Sequence, residues 1–185
     1  MTFENDKKTF LMKVDKSKKG EIDDRVISLM KTINALPDFY TTSSCSGRVY
    51  LWQGTGKKNE TEWIKVSHDL IDDDFFRLSG DTNKGVVWLR MEGFIMHIAC
   101  RDVVKANQLL EKVRRVYKKS GFLGVSNKII LEIRGSEFME MPWLLDGGKL
   151  FSGEVQWLVG LLNSKLKKVW GDMKQLEKVI QLEEI

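Results

Sequence analysis

Val155, Val159, Leu162, Leu166, Val169, Met173, Leu176 and Ile180 follow one another at alternating steps of four and three. Only an α-helix turns that spacing into one continuous apolar stripe. Residues 152–184 are therefore expected to form a helix of ~33 residues, about 50 Å long. Such a stripe either lies along a sheet or forms a coiled-coil seam with a second copy. The first is preferred, with breaks near Gly160 or Gly171, because one isolated seam does not say which partner fills it.

The remaining patterns alternate between the two periods. Ile22, Val26, Leu29, Met30, Ile33 and Leu36 give a helix over 21–36 that Pro37 stops. Phe3, Phe10, Leu11 and Val14 line a short N-terminal arm over 1–20 that ends at the Lys18, Lys19, Gly20 break. Aromatic and β-branched runs predict strands up to Thr42, at 49–52 and 62–67, and a hairpin of 86–91 with 94–100 around Glu92 and Gly93. A helix over 102–119 follows, with Val103, Ala106, Leu110 and Val113 inward and Ser120 and Gly121 as its cap. Further strands are expected at 123–126, 128–134 and 137–141. This order contains few strand–helix–strand alternations, which predicts an α+β fold with a mixed, largely antiparallel sheet, flanking helices and a long C-terminal helix. It is not the doubly wound, Rossmann-type methyltransferase arrangement. At 185 residues, one domain spanning 1–185 is expected.

The densest chemistry lies in residues 39–48, where hydroxyls, a thiol and a glycine lead into an arginine. Ser44, Cys45, Ser46 and Gly47 offer closely spaced donors and a residue able to take positive φ, the ingredients of an anion-binding nest. Arg48 adds a fork suited to a carboxylate or phosphate. A serine-rich β-turn is the plain alternative. Gly54 and Gly56 suggest a nucleotide loop, but the third glycine is missing.

His68 ends a strand beside Asp69, placed to face a cleft, whereas His97 stands among apolar residues as a hydrogen-bonded core histidine. Trp52, Trp63 and Trp88 fall in strands, mostly as core. Cys45 and Cys100 lack metal-ligand spacing, so no metal is expected and a reducing, cytoplasmic setting fits. No apolar run approaches the ~18 residues needed to span a bilayer. Thirty basic against 26 acidic side chains leave a net charge of +4. Arg101, Lys105, Lys112, Arg115 and Lys119 recur at helical steps, giving either a solvated face or a phosphate-binding stripe.

Four segments together resemble the tRNA wybutosine-synthesising protein 3 family: the leader 13–23, the run 40–48, the strand 63–68 and the strand 94–100. The chain departs from the family pattern at 121–127, where Leu123 replaces an arginine and Asn127 follows the serine. The resemblance implies an S-adenosylmethionine-dependent methyltransferase acting on the tricyclic guanosine derivative beside the anticodon of phenylalanine tRNA. On that reading Ser44, Cys45, Ser46 and Gly47 could bind the cofactor carboxylate, or a phosphate beside the target base, with Arg48 completing the charge and serving catalysis with His68, which could take a proton during or after transfer. Lys105, Lys112, Arg115, Lys119, Asn127 and Arg134 would then hold the anticodon stem-loop, with the protein a monomer or homodimer. Two alternatives stay open: a non-catalytic RNA-binding module, and a cysteine-dependent nucleoside-processing enzyme using Cys45.

Overall fold

The computed structural model describes residues 2–12, 23–54, 60–78 and 85–182. The leader up to residue 22, including the expected break at Lys18 to Gly20, and the Gly56 loop lie outside them. In chain order the elements are α1 (Phe3–Leu11), α2 (Asp24–Ala35), β1 (Phe39–Cys45), β2 (Arg48–Gly54), β3 (Thr61–Ser67), a 3-10 turn (Asp73–Phe76), β4 (Val86–Glu92), β5 (Ile95–Cys100), α3 (Val103–Val113), β6 (Gly121–Gly124), β7 (Ile129–Arg134), β8 (Phe138–Leu145), β9 (Gly148–Lys149) and α4 (Val155–Leu182). The fold is α+β, every strand pair is antiparallel, and no Rossmann-type sheet is present among the described residues. No helix among them is long and apolar enough to cross a membrane.

The chain divides into two compact units. The first, residues 1–46, 94–136 and 170–185, holds the sheet β1-β5-β7-β6. Met96, Ile98 and Cys100 of β5 and Leu131 and Ile133 of β7 alternate onto one face and are buried. α2 packs on β1, and α3 on β5 and β7. Asp23 caps α2 by accepting from the Arg25 amide, and Asp102 caps α3 by accepting from the Lys105 amide at 2.8 Å. On the opposite face, Phe3 and Phe10 of α1 set their rings 5.4 and 5.5 Å from that of Tyr40.

α3 stops at Val113, well short of residue 119. Tyr117 is buried with its ring 5.3 Å from Phe94, and the tight turns through Arg115, Val116 and Tyr117 that bring it there end the helix. The inner side of α3 is Ala106, Leu109, Leu110, Lys112 and Val113, while Val103 is 46% exposed. β6 begins at Gly121, two residues before the expected strand, because Gly121 and Phe122 pair with Glu132 and Leu131.

The second unit, residues 47–93 and 137–169, holds the sheet β3-β2-β4-β8-β9. The expected β2–β3 pairing is present. The expected hairpin of β4 with β5 is not: β4 pairs with β2 and β8, whereas β5 pairs with β1 and β7. At the junction, a Cβ on Gly93 would lie 2.8 Å from the Glu137 carbonyl oxygen, so the chain passes too close to β8's approach for a side chain. β8 runs through Pro142 to Leu145; a register shift between Val87 and Trp88 accommodates a residue without an N–H.

In α4, Leu162, Leu166, Val169, Met173, Leu176 and Ile180 are all buried within the chain, so the seam is core and not a surface left for a second copy. The helix continues unbroken past Gly160 and Gly171, both of which face open space.

Candidate active site

In the second unit, Gly47 adopts φ +96°, and a Cβ there would sit 3.1 Å from the carbonyl oxygen of Glu92. Only glycine meets both conditions without strain. Arg48 then opens β2 directly opposite Glu92. Its Nε and Nη2 donate to one Glu92 oxygen at 3.0 and 2.8 Å, and the Tyr50 hydroxyl donates to the other at 2.7 Å. The guanidinium lies 4.6 Å from the Trp63 ring centroid and 5.1 Å from that of Tyr50. Arg90 extends the network, donating to the Tyr50 hydroxyl at 3.1 Å and pairing with Glu140. Arg48 is thus a rigidly held donor whose charge is paired with Glu92, and Nη1 stands outside that pair.

Burial alone would push the Glu92 carboxyl up, but the hydrogen bonds from Tyr50 and Arg48 and the charges of Arg48 and Arg90 outweigh it and hold it below its ordinary 4.5. Burial and the Glu92 carboxylate push the Tyr50 phenol well up, so it stays a donor. Because the Glu92 value is lowered by folding, its contribution to stability is complete above about pH 4.5 and is lost as pH falls through the lower folded-state value. Acid titration followed by circular dichroism is therefore expected to show that Glu92→Gln, less stable than the parent at neutral pH, loses that deficit below pH 4.5.

His68 follows β3, and its Nδ1 donates to the Gly47 carbonyl at 3.1 Å. In the neutral ring the basic nitrogen is consequently Nε2. Gly47, Arg48 and His68, all singled out by the sequence, are therefore brought together.

In the first unit, Ser44 Oγ donates to Met30 Sδ at 3.4 Å. Ser46 is fully buried, its amide donating to Asp23 Oδ2 at 3.2 Å and its hydroxyl to the same oxygen. Through these two bonds Ser46 ties the end of β1 to the cap of α2. Asp23 was legible only as the last residue of the leader. Cys45 is half-buried. Burial first, and then the charge of Asp102, push the Cys100 thiol up to about 12, which leaves it inert as a nucleophile.

The basic residues do not form one helical stripe, because α3 ends before Arg115 and Lys119. Lys105 pairs with Asp38 at 3.4 Å, beside Arg101, which binds Asp38 and Glu4. Lys112 is buried at 8% exposure, on the inner side of α3. Arg115, Lys119 and Arg134 are exposed, the last 3.8 Å from Glu132. Asn127 lines a cavity of about 240 Å³ with Tyr40, Arg101 and Lys128.

Sequence reasoning missed a row on this unit's sheet. Ser43, His97 and Glu132 are cross-strand neighbours on β1, β5 and β7. Ser43 Oγ lies 2.8 Å from His97 Nδ1, and His97 Nε2 lies 3.1 Å from Glu132 Oε2. His97 is half-exposed, not a core histidine, and no spacing signal joins residues from three separate strands.

The family described as Methyltransferase TYW3 matches residues 5–182. The tRNA wybutosine-synthesizing protein 3 homolog of Xenopus laevis is 36% identical over 84% of this chain, and the Mus musculus homolog is 32% identical over 85%. The chain spans 65% of the length of each of these two vertebrate relatives. The Methanocaldococcus jannaschii protein named tRNA(Phe) 7-((3-amino-3-carboxypropyl)-4-demethylwyosine(37)-N(4))-methyltransferase is 31% identical, with 91% of each chain covered. Among solved structures, the PH1069 protein from Pyrococcus horikoshii superposes with a TM-score of 0.85 at 28% identity, covering 97% of this chain and 96% of its own.

Proposed function

The chain belongs to the methyltransferase family TYW3, and from that premise we propose that it methylates a ring nitrogen of the wyosine-type base at position 37 of tRNA(Phe), as its archaeal relatives' names describe for them. The methyl donor we assign is S-adenosylmethionine, which when bound supplies an electrophilic methyl group on a sulfonium that departs as a neutral thioether. The observation that carries the reading is the turn at Gly47. It sets a backbone without a side chain next to an arginine whose fork is fixed by Glu92 and whose Nη1 lies outside that pair. This donor set fits the carboxylate end of the cofactor. Arg48 would hold that carboxylate, and Gly47 would let it approach the backbone.

In this reading His68 acts as a positioning residue, since its Nδ1–H on the Gly47 carbonyl holds the turn in place. Trp63, 44% exposed beside the Arg48 guanidinium, offers a face on which a tricyclic base can stack. The chain's own contribution to rate is orientation and exclusion of water around a donor that carries its own leaving group. A cytoplasmic setting, where such a tRNA would be met, belongs to the same proposal.

Calorimetric titration tests the assignment. Saturable heat with S-adenosylmethionine, lost or strongly weakened in Arg48→Ala, is expected. RNA binding without any cofactor heat would favour the non-catalytic module. Methyl transfer that survives alkylation of Cys45 separates the reading from cysteine-dependent chemistry.

For the anticodon stem-loop we assign Arg115, Lys119, Arg134 and Asn127, with Lys105 at their margin; Lys112 drops out because it is buried. Changing Arg115, Lys119 and Arg134 together to alanine is expected to weaken tRNA binding and reduce the log–log salt slope by about two to three, as released counterions are lost. Lys112→Ala should leave the slope unchanged. Equal slopes for parent and triple variant would make these residues a solvated surface only.

A further inference from the structure

The sheet of the second unit has two unlike faces. Val49 and Leu51 of β2 and Val87, Leu89 and Met91 of β4 point one way and are fully buried. The alternate residues form the other face in cross-strand rows: Arg48, Glu92 and Phe138, then Tyr50, Arg90 and Glu140, then Trp52 and Trp88 with Trp63 of β3 beside Trp52. Guanidinium groups alternate with rings across it. The Arg90 guanidinium lies 4.9 Å from the Trp52 ring centroid, 5.8 Å from that of Tyr50 and 5.9 Å from that of Phe138. The Tyr50 and Trp63 rings are 4.6 Å apart, and Trp52 and Trp88 are stacked at 6.1 Å. Each end of this layer carries an open ring, with Trp63 44% and Phe138 58% exposed.

The four charges on this face cancel, because Arg48 pairs with Glu92 and Arg90 with Glu140. They offer a phosphate no net attraction. An apolar protein segment laid over them would desolvate four charged groups and return no hydrogen bond. An unpaired base suits both parts of the surface, since it has a flat π-face for the ring and edge donors and acceptors for the ion pair. Arg90 binds Glu140 through Nε and donates from Nη1 to the Tyr50 hydroxyl at 3.1 Å, so Nη2 stands outside both bonds.

We propose that Phe138, with Arg90 and Glu140 beside it, seats a second unpaired base of the anticodon loop, distinct from the base that is methylated. The proposal rests on the methyl-transfer reading, in which the target base stacks on Trp63. β2 and β4 lie between β3 and β8, so the two rings are three strand spacings apart, about 14 Å across the sheet. One base cannot cover both. Held at two points on a single sheet, the loop presents its target base in one orientation.

The test uses the full chain and fluorescence anisotropy with a synthetic anticodon stem-loop of tRNA(Phe), and with versions made abasic at each loop position except 37 in turn. Phe138→Ala is expected to bind the intact stem-loop about tenfold more weakly, within the range for loss of one stacking ring. Its log–log salt slope should match the parent's, because no phosphate contact is removed. Phe138→Trp should bind like the parent, whereas Phe138→Leu, apolar but without a π-face, should bind weakly. One abasic position should weaken the parent by a similar factor and leave Phe138→Ala unaffected, the mark of a direct contact. The calorimetric heat with S-adenosylmethionine should be the same in Phe138→Ala and the parent. The proposal is overturned if Phe138→Ala binds within about twofold of the parent, or if its loss multiplies with that of every abasic position. A reduced salt slope in Phe138→Ala would overturn it as well. Loop binding with the expected pattern but without methyl transfer would support the base seat and sink the methyl-transfer reading, and methyl transfer without that pattern would do the reverse.

Discussion

Arg48→Ala is expected to remain folded and to transfer methyl groups at least about tenfold more slowly, equivalent to ~1.4 kcal/mol of lost transition-state stabilisation. Geometry more than charge sets the size of the effect. The guanidinium is paired with Glu92 and laid against Trp63, so its contribution is a donor already aimed. Lysine should not rescue the variant, because a point charge cannot span Glu92 and a ligand as a planar fork does. Removing Arg48 leaves Glu92 with Tyr50 and Arg90 nearby, which limits the stability loss. Rates compared at matched fraction folded decide the point. Cys45→Ser should be much milder, since methyl transfer to nitrogen needs no thiol intermediate. A fully active Arg48→Ala protein would remove Arg48 from the mechanism.

Gly47→Ala should destabilise the protein by ~1–3 kcal/mol, the range for a side chain forced into a sparsely populated backbone region. The positive φ and the Glu92 carbonyl at 3.1 Å act in the same direction. The turn also carries the carbonyl that receives His68 and leads into Arg48, so activity should fall further than stability explains. Gly160→Ala provides the opposite sign. It lies on the exposed side of α4 with open space around it, and should stabilise by ~1 kcal/mol through helix propensity. Thermal melts of the two alanine variants measure both effects. Equal melting temperatures for Gly47→Ala and the parent would show that the turn tolerates a side chain.

Legibility followed the range of the interactions. α4 and α2 were readable because their periodicity and caps are local, and the β2–β3 pair because its strands are close in sequence. The end of α3 was not, because it is set by Tyr117 reaching Phe94, a contact invisible to helical spacing. The same misplaced end made Lys112, Arg115 and Lys119 look like one stripe. The separation of β4 from β5 depends on β8, more than forty residues further on. At the site, the hydroxyl run and its arginine were plain as a pattern. The partner of Arg48 lies 44 residues away, and the His97 row joins three strands, so neither could be read from spacing.

The central proposal is that this chain transfers a methyl group to a ring nitrogen of the base at position 37 of tRNA(Phe), the reaction that the names of its archaeal relatives describe for them. It is tested most directly by incubating the protein with isotopically labelled S-adenosylmethionine and tRNA(Phe) carrying the demethylated tricyclic base, then analysing the released nucleosides by mass spectrometry. The predicted result is one added, labelled methyl group on that nucleoside and on no other, absent without enzyme. An unchanged nucleoside, under conditions where the protein binds both the tRNA and S-adenosylmethionine, would contradict the account.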